Sequence, residues 1–285
     1  MNRLKADKSA FVPTKTGKKR HRLSRALICL SYFLVLFPLL ILFVWSFTGR
    51  WSWPHLLPET FSARALGELF GGYSGAVQVL LSSILLSTAV ALIAIAVSVP
   101  AARAIVLTAF WGKDFLKFIV LLPVIVPATA FAMGVHMLFI RVGLSDTVVG
   151  VILIHIILCL PYTVRIMSEV TAATGDRLEA QARVLGASPK KTLISITFPL
   201  AMPGIISAFC MAFIVSFSQY FVTLLIGGGT VTTYAMFMFP YIQSGDRTIA
   251  AAYSLLFVLS TLLVFIVLER RIKKYYNIED VFFFS

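Results

Sequence analysis

The sequence predicts an all-α polytopic membrane protein with six transmembrane helices and one further helix on the cytoplasmic side. Three observations predict it. The 285 residues are 59% hydrophobic and only 13% charged, about half the charged share of a soluble domain, with a mean hydropathy of +0.92. Apolar runs long enough to cross a bilayer recur along the chain. The Lys and Arg residues cluster in alternate connections between those runs.

In chain order, residues 1–25 are polar and basic, with a Lys18-Lys19-Arg20 run, and read as a disordered cytoplasmic tail. Residues 26–47 form an apolar run longer than a signal-peptide core, without a small-residue cleavage site, and read as a retained first span. Residues 50–73 lie outside, with Trp51, Trp53 and Pro54 at the interface that indole rings favour. The second span covers residues 75–102, and residues 103–117 return inside. The third, residues 118–140, contains Pro123 and Pro127; each removes a helix amide, so this span is kinked or broken.

Residues 141–146 turn outside into a fourth span, residues 147–164. A polar island, residues 176–204, separates it from a fifth span at residues 200–225, whose entry Pro199 and Pro203 mark. Gly227-Gly228-Gly229 then makes a turn. Residues 230–246 lie outside, with an apolar stretch at residues 234–241 too short to cross. The sixth span is residues 248–268, and residues 269–285 form a cytoplasmic tail. All this makes one membrane domain, residues 26–268.

Of the 25 Lys and Arg, all but Arg50, Arg64, Arg141 and Arg247 fall in the segments placed inside. Retained basic loops set orientation, and a charge at a span centre costs about 3 kcal/mol on insertion scales. Both termini and the island are therefore expected in the cytoplasm. The net charge of +13 and pI of 9.9 express topology and attraction to anionic membrane lipid, and a nucleic-acid partner is not expected. Cys29, Cys159 and Cys210 all sit in apolar runs, so neither a disulfide framework nor a metal site is indicated. His136 and His155 lie within spans, where ionisable groups suggest function, but without an acidic partner at helical spacing they read as packed neutral rings.

The island carries the local signals. Asp176 and Glu179 stand at capping-box spacing. Leu178, Ala182 and Leu185 recur at i, i+4 and i+7 and predict a short helix with one apolar face. Gly186 suits a C-cap, and Ser188-Pro189 restarts a helix as N-cap and first position. A helix so written, held between two spans, suggests docking to another protein. Arg183, Lys190 and Lys191 read equally as a binding patch or as ordinary loop charge. The run Gly186 to Thr192 ends in Lys and Thr but lacks the second glycine of a phosphate loop, and no catalytic triad, carboxylate pair or HExxH is present. The chain is not expected to be an enzyme or to hydrolyse ATP itself.

The island resembles the EAA loop of the membrane-spanning permease subunits of bacterial ABC importers: Glu-Ala-Ala, three residues, Gly, nine residues, then Ile-x-Leu-Pro. Anchored on Gly186, the chain reads Ala180-Gln181-Ala182, then Gly186, then Ile196-Thr197-Phe198-Pro199. It departs in two places: Ala180 stands at the motif's Glu, with Glu179 one residue early, and Phe198 stands where Leu is usual. The resemblance implies a coupling helix at residues 176–187, in which Leu178, Glu179, Ala180, Ala182, Arg183, Leu185, Gly186 and Ala187 dock a separate ABC ATPase. It also implies a second permease subunit, an extracytoplasmic solute-binding protein, and location in the bacterial inner membrane. The chain itself binds no cofactor, since ATP and Mg belong to the ATPase.

Residues 216–221, the glycine turn and the Ala250-Ala251-Ala252 run look most like the polyamine, thiamine, iron, sulfate and phosphonate branch. Ser218, Gln219 and Tyr220 are candidates for the pathway lining, or equally hydrogen-bonding glue between helices. No Asp or Glu occupies a span centre, which counts against a polycation cargo. An ion-coupled secondary transporter is the alternative function; it would be expected to carry intramembrane charge.

Overall fold

The computed structural model describes residues 15–52, 54–71 and 75–276. The first helix, α1, spans Lys15–Ser46; its membrane-spanning part, Leu27–Ser46, begins where expected, and the helix extends ahead of it into the segment that composition marks as tail. Lys and Arg are good helix formers, and no stop signal separates them from the apolar run. The remainder of that tail, and Trp53, lie outside the described residues.

The predicted outside segment contains the one departure from an all-α chain among the described residues. Strands β1 (Thr48–Arg50) and β2 (Thr60–Phe61) pair antiparallel, and α2 (Arg64–Phe70) follows. This end is tied to the last helix. The Thr248 hydroxyl donates to the Thr48 carbonyl at 3.0 Å, Arg64 pairs with Asp246 at 2.6 Å, and Arg247 lies over the Trp45 ring.

The core is built from three long helices packed on one another: α3 (Ala76–Leu107), α6 (Val148–Thr174) and α9 (Phe198–Phe217). The buried stripe of α3 runs through Ser83, Ser87, Ala91, Ala94, Ser98 and Ala102. Small residues at helical spacing let helices approach closely where lipid supplies no hydrophobic drive. Ser98 and Thr163 meet across this contact, their hydroxyl oxygens 2.6 Å apart. Gly204 of α9 faces Val170 of α6, where an added Cβ would stand 2.7 Å from a Val170 methyl.

α6 runs ten residues beyond the end that hydropathy predicts. An Arg165–Glu169 pair at i,i+4 keeps its polar end helical, and Gly175, at φ 62, stops it. The third span is broken: α4 (Lys113–Ile125) and α5 (Ala128–Arg141) meet at 109° around Val126-Pro127.

The predicted entry to the fifth span is corrected. Pro199 and Pro203 do not begin a helix; they lie within one that runs unbroken from Pro189 to Phe217. It comprises α8 (Pro189–Thr192), a π-helical turn at Leu193–Thr197, then α9. In the π turn the Phe198 amide reaches back to the Leu193 carbonyl, and the extra residue accommodates Pro199, which has no N–H to contribute. The far end is corrected too. The helix stops at Phe217, and the chain restarts as α10 (Phe221–Gly227) after a break at residues 218–220. The glycine turn follows, with Gly228 and Gly229 at φ 52 and 83.

Residues 234–241 do form a helix too short to cross, α11 (Tyr234–Gln243). It packs against the last helix, α12 (Arg247–Tyr276), which extends into the predicted tail. Tyr234 of α11, Phe213 and Phe217 of α9, and Tyr253 and Phe257 of α12 form one stacked aromatic cluster. Among the described residues five helices are long and apolar enough to span a membrane, and six spans result when the bent α4–α5 pair counts as one.

The Gly204 contact generates a prediction. Gly204→Ala is expected to cost about 1–3 kcal/mol through overpacking, read as a lower thermal midpoint in detergent, and Val170→Ala is expected to restore it. An unchanged midpoint in the single variant would contradict this packing.

Candidate functional site

The island folds as a short surface helix, α7 (Arg177–Val184), joined to α8 by a tight turn. Asp176 occupies its N-cap position, yet no side chain caps it. The expected capping box is absent because Glu179 has other partners. Arg103, near the end of α3, donates Nη1 to Oε1 and Nη2 to Oε2, both at 2.8 Å. Thr197, in the π turn, donates its hydroxyl to Oε1 at 2.7 Å. Arg183 adds a longer ion pair at 3.8 Å.

Glu179 is 7% exposed. A carboxylate so far from water is tolerable only with its lone pairs satisfied, and a bidentate guanidinium plus a hydroxyl satisfies them. The Arg103 hydrogen bond, helped by Thr197 and opposed by burial, holds its carboxyl below the ordinary value of 4.5. One side chain thus fastens α7 to α3 and to the root of α9.

The apolar face of α7 is not the one the spacing predicts. Ala182 is buried beside Glu179, whereas Leu178 is half exposed and Leu185 is 87% exposed. The inward arc is rotated toward Glu179, whose carboxylate is held by Arg103 and Thr197. Leu178, Val184 and Leu185 are consequently left as an outward apolar patch, with Ala180 and Arg183 also exposed.

The C-terminal stop is as predicted. Gly186, at φ 81, donates its amide to the Arg183 carbonyl at 3.0 Å, and Ala187, half-buried, donates to the Ala182 carbonyl at 2.9 Å. These are the two bonds of a Schellman motif. Ser188 then caps α8, accepting the Lys191 amide at 3.4 Å, with Pro189 at the first helical position. Lys190 and Lys191 are exposed. Arg103 and Thr197 belong to this site and were not among the residues the sequence singled out. A lone Arg one turn from the end of an apolar span was the available signal.

A second feature lies deeper. The breaks in the third and fifth spans meet around a cavity of about 360 Å³, a volume suited to a small ligand. Pro123 to Ala128 line one side, and Leu158, Tyr162, Val215, Gln219 and Val222 line the rest. Of the three pathway candidates only Gln219 faces it. Ser218 spends its hydroxyl on the Ile214 carbonyl of its own helix, 2.8 Å away, and Tyr220 stacks on Phe239 of α11.

Both intramembrane histidines have partners: His136 the Ser145 hydroxyl, 3.1 Å away, and His155 two buried hydroxyls. Cys159 donates to the Ala212 carbonyl. Among the described residues no three His, Cys, Asp or Glu side chains converge as a metal site.

Residues 94–274 match the family described as binding-protein-dependent transport system inner membrane component. A Salmonella paratyphi A protein, provisionally described as a 2-aminoethylphosphonate transport system permease, is 26% identical over 257 residues, covering 89% of this chain and 96% of its own. A molybdate/tungstate transport system permease of Pyrococcus abyssi is 27% identical over 198 residues, 70% of this chain and 79% of its own. A spermidine/putrescine transport system permease of Haemophilus influenzae is 30% identical over 157 residues, 54% and 61% respectively. Among solved structures, a bacterial ABC transporter that imports the acidic polysaccharide alginate superposes with a TM-score of 0.71 over 90% of this chain and 98% of its own. At 18% identity that likeness is one of fold.

Removing either partner of the Arg103–Glu179 pair strands the other charge, so Arg103→Ala or Glu179→Ala is expected to cost about 3 kcal/mol. The double variant should cost less than the two together. Because the folded Glu179 pKa is depressed, its contribution is complete above 4.5 and is lost as pH falls through the lower folded value. Thermal unfolding scanned downward through that range should show an acid-dependent loss that Glu179→Gln lacks. Identical pH profiles for the two proteins would contradict the pairing.

Proposed function

The chain belongs to the family of binding-protein-dependent transport system inner membrane components, the permeases of bacterial ABC importers, and from that premise we propose that α7 is the helix through which it is driven by a separate ATPase. The family membership sets aside the ion-coupled secondary transporter. The protein is a multi-pass membrane transport component, and its chemistry is movement of a solute rather than catalysis.

The observation that carries the proposal is the two-sidedness of α7. Its inner side is fixed to α3 and α9 by Glu179, while its outer side presents Leu178, Val184 and Leu185 to solvent. An exposed apolar patch on a rigid, doubly stopped helix suits a cleft in a partner protein. Leu178, Ala180, Arg183 and Leu185 make the ATPase contact in this reading. Glu179, Ala182, Gly186 and Ala187 hold the helix in shape. ATP and its Mg ion act on the ATPase; this chain contributes the lever. A second permease subunit completes the pathway and an extracytoplasmic binding protein delivers the solute. Both termini and α7 lie in the cytoplasm, following the distribution of Lys and Arg.

The solute we infer is small and polar, and the cavity at the two broken spans is its candidate site. No carboxylate lines that cavity; its polar groups are Tyr162, Gln219 and the main chain at the α4–α5 break. A polycation would shed water there without gaining a counter-charge. No Lys or Arg lines it either, so the preference for an oxyanion or zwitterion of the phosphonate or sulfate kind rests on two of the relatives named above, which are described as permeases for such solutes.

Two variants test the docking. Gly186→Val forces a β-branched residue to φ 81, although a Cβ meets no atom within 4 Å. The strain, about 1–2 kcal/mol, falls on the turn alone. Leu185→Asp alters only the exposed patch. Co-expressed with the ATPase and binding protein of its gene neighbourhood, each variant is expected to reach the membrane in normal amount yet lose ATP-dependent uptake in proteoliposomes. Normal uptake by both would sink the docking role of α7.

A further inference from the structure

The break that carries Gln219 is held by a continuous chain of polar side chains in the buried core. Ser216, two residues before the break, and Thr223, three residues after it, both contact the same imidazole. His155 Nδ1 is 2.9 Å from Ser216 Oγ, and His155 Nε2 is 2.9 Å from Thr223 Oγ1. Thr223 donates its hydroxyl to the Gln219 carbonyl at 2.9 Å. At the other end Ser216 Oγ lies 3.3 Å from Ser87 Oγ of α3. His155, Ser216, Thr223 and Ser87 are each 0–1% exposed.

Proton counting assigns the ring. Thr223 uses its only proton on the Gln219 carbonyl, so it accepts from His155, and Nε2 carries hydrogen. A neutral ring then accepts at Nδ1, where Ser216 donates at 2.9 Å; the same hydroxyl is oriented toward Ser87 Oγ as well, and its proton goes to the nearer acceptor. The ring needs no charge. Four helices, α3, α9, α6 and α10, meet in this network, which ends on the main chain of Gln219, the residue facing the cavity. The break also leaves helix carbonyls without helical partners, and this chain supplies one of the replacements.

We propose that His155 is a positioning residue for the cavity. As the Nε2–H tautomer it clamps the two sides of the α9–α10 break and, through Thr223, sets the placement of Gln219. Insofar as it bears on solute, this rests on the cavity being the solute site.

The two ring nitrogens separate a clamp from a packing role. A Gln side chain returns a donor near the Nε2 position, facing Thr223. An Asn side chain returns polar atoms near Nδ1 only, facing Ser216. The experiment uses the full chain, in complex with its ATPase, carrying Gln219→Cys and Cys29→Ser, and reads the rate of labelling by a small methanethiosulfonate. With His155→Gln the rate is expected to stay near that of the parent. With His155→Asn, His155→Leu or Thr223→Val it should change about tenfold, the scale of one buried hydrogen bond, and His155→Leu combined with Thr223→Val should be no worse than either alone. Equal rates in the Gln and Asn variants would overturn the proposal, and so would additivity of the double variant. If the Leu variant does not fold, the Gln–Asn comparison still decides.

Uptake in proteoliposomes with Gln219 intact is the second readout. His155→Asn is expected to raise the half-saturating solute concentration more than it lowers the maximal rate, with rescue by His155→Gln. Labelling that follows the predicted order while uptake kinetics stay unchanged would support the clamp and overturn the cavity as solute site. That outcome distinguishes failure of this inference from failure of the functional reading beneath it.

Discussion

The structure depends on a constraint that a lipid bilayer imposes on every polar group: whatever is taken out of water has to be paired inside the protein. Where this chain breaks a helix or buries a charge, a specific partner is present. Glu179 has Arg103 and Thr197. The α9–α10 break has His155 and Thr223. Pro199 has a π turn instead of an unsatisfied α turn. These three devices lie along the same continuous helix, from its root near Pro189 to its broken tip. They make α9 the element on which both the surface helix and the cavity are hung.

The division of labour among helices follows from packing. α3, α6 and α9 meet through serine, alanine and glycine, so their backbones approach closely. α1 packs along α12 and none of its apolar stretch is buried within the chain. In the proposed docking role, α7 is joined to the triad of α3, α6 and α9 through a bidentate ion pair at α3 and a hydroxyl at the root of α9. Apart from these bonds, α7 joins the core through the covalent turns at Gly175 and Gly186, both at positive φ.

Much of this was legible in the sequence, and the rest was hidden for identifiable reasons. Hydropathy located the spans because each run exceeds a bilayer's thickness, but it missed their ends. Lys15 and the Arg165–Glu169 pair are compatible with helix, so composition changes where secondary structure does not. Pro199 and Pro203 were read as boundaries because a proline interrupts an α-helix; nothing local announces a π turn. The stop at Gly186 and the cap at Ser188 were correct, since each depends only on neighbours in the chain. The burial of Glu179 was not, because its partner stands 76 residues away, and pairing at that range cannot be read from spacing. Among Ser218, Gln219 and Tyr220 the sequence saw three polar residues in an apolar run. Only the position of the break shows which of them faces a cavity.

The central claim is that α7 works because it is fastened to the core, and the stoichiometry of transport tests it most directly. Solute imported per ATP hydrolysed would be measured for the complete importer reconstituted in proteoliposomes. The proteins compared would be the wild type, Arg103→Glu, Glu179→Arg and the charge-swapped double variant. The account predicts that each single variant keeps ATP hydrolysis but imports little solute per ATP, and that the swap recovers a substantial part of the ratio. Single variants that import as much solute per ATP as the wild type would contradict it, because motion would then reach the pathway without the Arg103–Glu179 link.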